Sequence, residues 1–318
     1  MNILSIDGGG IRGVIPAAVL AEVERRTGRR VADLFDLIAG TSTGGILACA
    51  LARAGDDGRP RFEAAELIEL YEREGPEIFR HAPLKHVESL GGLVDERYDD
   101  AALNDALARY LGDARLSQTL SDVLVTAYEI EQRKAFFFRT TRAREDPAAD
   151  FRLADAARAT SAAPTYFEPA LVRDVAGTRS LALVDGGVFA INPSLCALAE
   201  VTKAGQRDEL TIIASLGTGS HTRPLPHEQV RRWGALAWAR PILDVVFDGV
   251  ADTTDFELAQ FLPERAYVRL QIELTRASDD LDNATPANLA ALREEATALI
   301  GARSEDLDAL CATLMART

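Results

Sequence analysis

Ser42 at the centre of Gly40-Thr41-Ser42-Thr43-Gly44, and the run Asp7-Gly8-Gly9-Gly10-Ile11-Arg12-Gly13, lie roughly 30 residues apart near the start of a 318-residue chain. Each follows a short apolar run and leads into a stretch of helical character. A serine in G-x-S-x-G marks a sharp strand-to-helix turn that presents its hydroxyl as a nucleophile. Glycines opening a helix offer bare backbone N–H groups where negative charge is stabilised. A nucleophile beside an anion-stabilising loop is the minimum equipment for acyl transfer.

A serine also needs a base. The chain has four histidines, His81, His86, His221 and His227. A Ser42–Asp185–His221 triad fits the order Ser, Asp, His, but His221 and His227 lie in a polar, proline-bearing loop with no flanking motif. The alternative is a dyad in which Asp185 itself takes the proton. An ordinary carboxylate near pKa ~3.9 is a poor base for serine, so its setting must desolvate it. Asp185 follows Leu181-Ala182-Leu183-Val184 and precedes Gly186-Gly187, which lets backbone and substrate come close.

Two other chemistries compete. Gly8-x-Gly10-x-x-Gly13 matches a dinucleotide-binding turn, with Asp33 and Asp36 roughly where a ribose-binding acid is sought. Those aspartates precede or begin the second strand, whereas its end is the serine turn. A phosphate-binding P-loop fails because no Gly-Lys-Ser/Thr follows the glycines.

The elements that must position these residues alternate between strand and helix through the first two-thirds, the pattern of a parallel sheet covered on both faces. Ile3–Ile6, Leu34–Ala39, Val123–Ile130, Lys134–Thr140, Leu181–Val184, Thr211–Leu216 and Ala266–Ile272 read as strands. Val14–Arg26, Gly44–Arg53, Glu63–Arg73, Ala101–Leu111, Pro286–Ile300 and Ser304–Met315 read as helices, with Pro16 tolerated in a first turn. Gly75–Tyr98 loses periodicity and reads as loop-rich. The charged run Arg142–Asp150 reads as a solvated loop. Trp233–Phe247, with Arg231, Arg232 and Arg240 nearby, is either core at helical spacing or an amphipathic stretch for a bilayer surface; core is favoured. No repeat or linker divides the chain, so a single domain over 1–318 is expected, with its motifs within 1–220 and a helix-rich part over 221–318.

Composition narrows the class. The hydrophobic share is 47% and the net charge −14, with a pI near 4.8, which argues against nucleic-acid binding. The start runs straight into a strand, with no basic and then apolar leader, and no apolar run approaches the ~18 residues of a membrane span. Cys49, Cys196 and Cys311 fit neither a disulfide framework nor a zinc site, and suit a reducing cytoplasm.

The three motifs in this order resemble the patatin-like phospholipase family, whose pattern is D-G-G-G-x-[RK]-G, then G-x-S-x-G, then D-G-[GA]. Ala159-Thr160-Ser161-Ala162-Ala163-Pro164 and Ser215-Leu216-Gly217-Thr218-Gly219 are similar to two further family blocks, and Pro241–Asp248 to a later one. The resemblance implies a three-layer α/β/α fold with a mostly parallel central sheet. It implies a Ser–Asp dyad without histidine and hydrolysis of fatty-acyl esters in phospholipids or related glycerolipids, with no metal or cofactor. Carried over by position, Ser42 is the nucleophile, Asp185 the base, and Gly8, Gly9 and Gly10 the oxyanion donors, with Arg12 beside them. Arg12 either braces the loop from behind, which its spacing favours, or binds a lipid phosphate. A cytoplasmic enzyme that touches membranes peripherally is expected. A hydrolase of soluble esters or thioesters is the alternative.

Overall fold

The computed structural model describes residues 1–80, 98–210, 212–220, 224–238 and 241–316. The two apolar runs before the glycine turns become β1 (Asn2–Ile6) and β2 (Leu37–Gly40), parallel, with Ile3 opposite Leu37 and Ile6 opposite Gly40. Both are buried throughout. Strands covered on both faces are apolar at consecutive positions, which is why these read as unbroken runs. β3 (Asp122–Glu129) adds parallel to β2, and β4 (Lys134–Arg139) folds back against it. β5 (Ala170–Arg173) and β6 (Ser180–Asp185) pair antiparallel, and β6 runs antiparallel to β3. β7 (Ile212–Leu216) and β8 (Tyr267–Leu270) extend the sheet in parallel beyond β1. The order along the sheet is β5-β6-β3-β2-β1-β7-β8, with β4 on β3 off that path.

One consequence of the register positions the site. β4 takes one edge of β3 from Leu124 to Glu129, so β2 and β6 must share the other edge. β2 lies beside Asp122–Val125 and β6 beside Ala127–Glu129. The end of β2, which carries the serine turn, therefore meets the end of β6, which carries Asp185, nearly head-on.

Alternate strand residues face opposite layers. Leu4, Ile6, Ile38 and Val125 face a large core shared with the helices Val14–Thr27, Thr43–Ala52, Leu153–Thr160, Pro286–Ala302 and Ser304–Met315. Ile3, Leu37, Leu124 and Ile213 face a smaller core with Leu198 and Val201 of Ser194–Lys203 and Leu258 of Pro241–Phe261. The result is a three-layer α/β/α arrangement about a mostly parallel sheet.

Several expectations need correction. The charged run after β4 is not a loop: Thr140–Glu145 is a short helix and Pro147–Ala149 a 3-10 turn, with Thr140 and Ala143 turned inward. The helix expected to stop at Arg73 runs over Ala64–Ile78, through Gly75 and Pro76. Gly75 allows it, since a Cβ there would lie 2.6 Å from Ile11 Cδ1. The rest of the loop-rich 75–98 segment, His81 and His86 included, lies largely outside the described residues, as do His221 and Arg240. β5 has no counterpart in the sequence reading. The Trp233–Phe247 stretch divides: Phe247 is buried against Ile191 and Leu281, whereas Ile242 and Val245 are 44% and 43% exposed.

Candidate active site

Ser42 sits between the end of β2 and the helix Thr43–Ala52, with φ 55° and ψ −125°. That is a left-handed, strained backbone for a residue with a side chain, of the kind held only where surroundings over-determine it. The turn is tight because Gly44 lies against β1: a Cβ there would fall 2.1 Å from the Ile6 carbonyl oxygen. Neighbouring hydroxyls brace it. Thr41 Oγ1 donates to the Ala190 carbonyl at 2.6 Å and lies 2.7 Å from Thr126 Oγ1, while Thr43 Oγ1 lies 2.5 Å from the Tyr71 hydroxyl.

Asp185 ends β6 opposite Ala127, 2% exposed. Its carboxylate accepts the Gly187 N–H at 2.7 Å and shares one cleft with Ser42. Burial pushes its pKa up to about 7, against the opposing pull of the nearby Ser42 hydroxyl and the Gly187 N–H. The carboxyl is thereby tuned into the range where a general base works best near neutral pH.

The glycine loop leaves β1 on the other side of Ser42. A Cβ built on Gly8 would lie 3.1 Å from Ser42 Cβ, so the two turns touch. The three glycine amides are not equivalent. Gly8 N–H donates to the Ile191 carbonyl at 3.0 Å and is spent. Among the described residues, the Gly9 and Gly10 amides have no partner. Gly10 has φ +57°, and its Cβ would fall 2.1 Å from the Leu281 carbonyl oxygen, so no other residue fits there.

Arg12 is 5% exposed and is not among the residues that line the cleft onto which Ser42 opens. Its Nε donates to the Gly9 carbonyl at 3.3 Å and Nη1 to the Gly219 carbonyl at 3.1 Å, which ties the loop after β1 to the loop after β7. Burial lowers its pKa to about 10, opposed by Asp248 and Asp244. It braces the loop. Thr218 Oγ1 adds a 2.7 Å bond to the Gly8 carbonyl. Beneath the loop, Arg269 of β8 donates to Asp7 Oδ2 at 2.6 Å and to Ser215 Oγ at 3.0 Å. Burial raises the Asp7 pKa even so. No motif in the sequence pointed to Arg269, which comes from the far end of the chain.

Ser42, Asp185, Gly9 and Gly10 open together onto one cleft, with about 720 Å³ of space between its walls, the part open to solvent included. Those walls are otherwise almost wholly apolar: Ile46, Leu70, Phe79, Leu103, Phe167 and Phe247 among them. His227 is not among its lining residues; its side chain is 84% exposed and lies against Glu228. Asp36, the would-be ribose acid, accepts the Asn2 N–H at 2.6 Å at the start of β1, the end of that strand opposite the glycine turn.

Comparison with known proteins finds relatives of this chain. The family model described as patatin-like phospholipase matches residues 4–196. Patatin-like protein 2 of Arabidopsis thaliana is 37% identical over 325 residues, covering 91% of this chain and 80% of that protein. Patatin-like protein 1 of Oryza sativa subsp. indica is 33% identical over 327 residues, covering 92% and 79%. A relative from Solanum tuberosum, 31% identical over 318 residues and covering 91% and 83%, carries the name probable inactive patatin-3-Kuras 1. Likeness alone therefore does not make an active enzyme; the site has to be intact.

Proposed function

The chain belongs to the patatin-like phospholipase family, and on that premise we propose that it hydrolyses fatty-acyl esters of phospholipids or related glycerolipids through Ser42 and Asp185. Ser42 Oγ attacks the ester carbonyl while Asp185 takes its proton. The tetrahedral oxyanion is held by the Gly9 and Gly10 amides; one such donor is worth ~3 kcal/mol. Asp185 then returns the proton to the departing alcohol oxygen, a lysolipid in the case of a phospholipid. The acyl group stays on Ser42 until water, activated by the same carboxylate, releases it as a fatty acid.

The observation that carries this reading is the Asp185 carboxyl, buried, opening onto the same cleft as the strained serine and raised to about 7. No histidine is needed for the proton, and His227 stands elsewhere. The apolar cleft favours a fatty-acyl chain over a small polar ester. Among the described residues no helix is long and apolar enough to cross a membrane. The enzyme is placed in the cytoplasm, the compartment its three free cysteines suit, meeting lipid at a surface. The exposed Ile242 and Val245, one turn from Phe247 in the cleft wall, are the natural point of that contact.

The test is hydrolysis of p-nitrophenyl butyrate and of phosphatidylcholine vesicles by wild type, Ser42→Ala, Asp185→Asn and the double variant His221→Ala/His227→Ala. Loss of both activities in the first two variants and retention in the third supports the dyad. A dead histidine double variant sinks it, and cleavage of the soluble ester alone sinks the lipid assignment.

A further inference from the structure

The strained backbone of Ser42 is held by a residue that no step of the reaction uses. As the residue capping the helix Thr43–Ala52, Ser42 has an N–H with no partner inside that helix. This N–H donates to Thr160 Oγ1 at 2.7 Å. Thr160 is fully buried at the end of the helix Leu153–Thr160, next to Ser161 in the cleft wall. Its other arm is also committed. A Cβ built on Gly45 would fall 2.7 Å from Thr160 Cγ2, so the methyl occupies the room that Gly45 leaves. With one arm bonded and the other packed, a β-branched side chain has a single rotamer open to it. Thr41 and Thr43 are tied to other partners, as described above, so at Ser42 itself the amide is gripped by Thr160 alone among side chains of the described residues.

We infer, on the reading of Ser42 as nucleophile, that Thr160 is a positioning residue: by holding the Ser42 amide it sets the direction in which Ser42 Oγ points at Asp185 and at the substrate carbonyl. Serine at 160 keeps the hydroxyl and loses only the packed methyl. Valine keeps the shape and loses the hydroxyl, which strands a buried N–H and frees the turn to relax from its strained conformation. Misplacing a reacting group by ~1 Å can cost on the order of 100-fold in rate. The loss should fall on kcat, because the apolar cleft walls are untouched. The nearby Ser42 hydroxyl also pulls the Asp185 carboxyl down against burial, so turning it away moves the acid limb of kcat/KM to higher pH.

The experiment compares wild type, Thr160→Val and Thr160→Ser in three measurements: p-nitrophenyl butyrate kinetics from pH 5 to 9, the rate of fluorophosphonate labelling at Ser42, and thermal unfolding. The expected result for Thr160→Val is a fall of ~10–100-fold in kcat with KM near wild type, slower labelling and an acid limb displaced upward. Thr160→Ser is expected to stay close to wild type. Thr160→Ala replaces the valine variant if that one does not fold, with the same criteria. Labelling of Thr160→Val at the wild-type rate overturns the inference, as does a loss in Thr160→Ser equal to that in Thr160→Val. Wild type that takes no label at Ser42 overturns the nucleophile assignment instead, and this inference with it.

Discussion

Asp185→Asn should separate what the buried carboxyl does for catalysis from what it does to stability. The substitution keeps the shape of the side chain. Its amide oxygen can still accept the Gly187 N–H, and its NH2 can meet Ser42 Oγ. What disappears is the charge. A carboxyl raised from 3.8 to about 7 in the folded protein binds its proton more tightly there than in the unfolded chain. Stability from this group is full below pH ~4 and is lost as the pH rises through the folded value, levelling off above it. The difference is roughly three pH units, or up to ~4 kcal/mol at pH 8. The variant is free of that loss. Urea unfolding of wild type and Asp185→Asn at pH 5, 6, 7 and 8 should show the variant gaining steadily on wild type up to pH 7 and holding its lead at pH 8. The other buried carboxyls titrate in both proteins and cancel. At every pH the variant should be inactive. A stability difference that does not vary with pH would show that Asp185 is not a raised, desolvated acid, and the explanation of its basicity would fall with it.

Wild-type kcat/KM should rise with pH through an acid limb near 7, since Asp185 must be ionised to accept a proton; a limb near 4 in the pH profile would contradict this. Gly10→Ala should lower kcat by ~100-fold or more, because a side chain meets the Leu281 carbonyl and displaces an oxyanion donor, as steady-state assays would show. Arg269→Met should destabilise by ~3–5 kcal/mol in urea unfolding, since it leaves Asp7 buried without its partner. Ile242→Asp combined with Val245→Asp should leave p-nitrophenyl butyrate hydrolysis unchanged and depress hydrolysis of phosphatidylcholine vesicles, the readout being the ratio of the two rates.

The parts of the fold that were legible are those where local chemistry and tertiary demand coincide. β1 and β2 are apolar because both faces are covered, and each ends in glycines because the chain turns hard against its neighbours. Asp185 was legible for the same reason, an acid closing a buried strand before two glycines. Other elements gave no local signal. β5 is four residues at one end of the sheet, alternating buried and exposed, too short to set a period. Thr140–Glu145 turns two of its six residues inward, and the other four, Thr141, Arg142, Arg144 and Glu145, are polar or charged and dominate its composition. The helix Ala64–Ile78 continues through Gly75-Pro76 because Ile11, more than sixty positions away, packs against it. In the site, sequence counts three glycine amides alike, and only the fold shows that Gly8 is already bonded to Ile191. Arg12 reads as a charge near an anion site until its guanidinium is found on two backbone carbonyls. Arg269 and Thr160 act across long sequence separations, which no local pattern encodes.

The most direct measurement is to mix wild-type protein with phosphatidylcholine, quench within the first turnover, digest, and weigh the peptide that contains Ser42. A fatty-acyl mass on Ser42, absent in Ser42→Ala and persistent when Asp185→Asn is acylated by an activated ester, is the expected result. No adduct, or an acyl group on any other residue, would contradict a serine nucleophile served by Asp185.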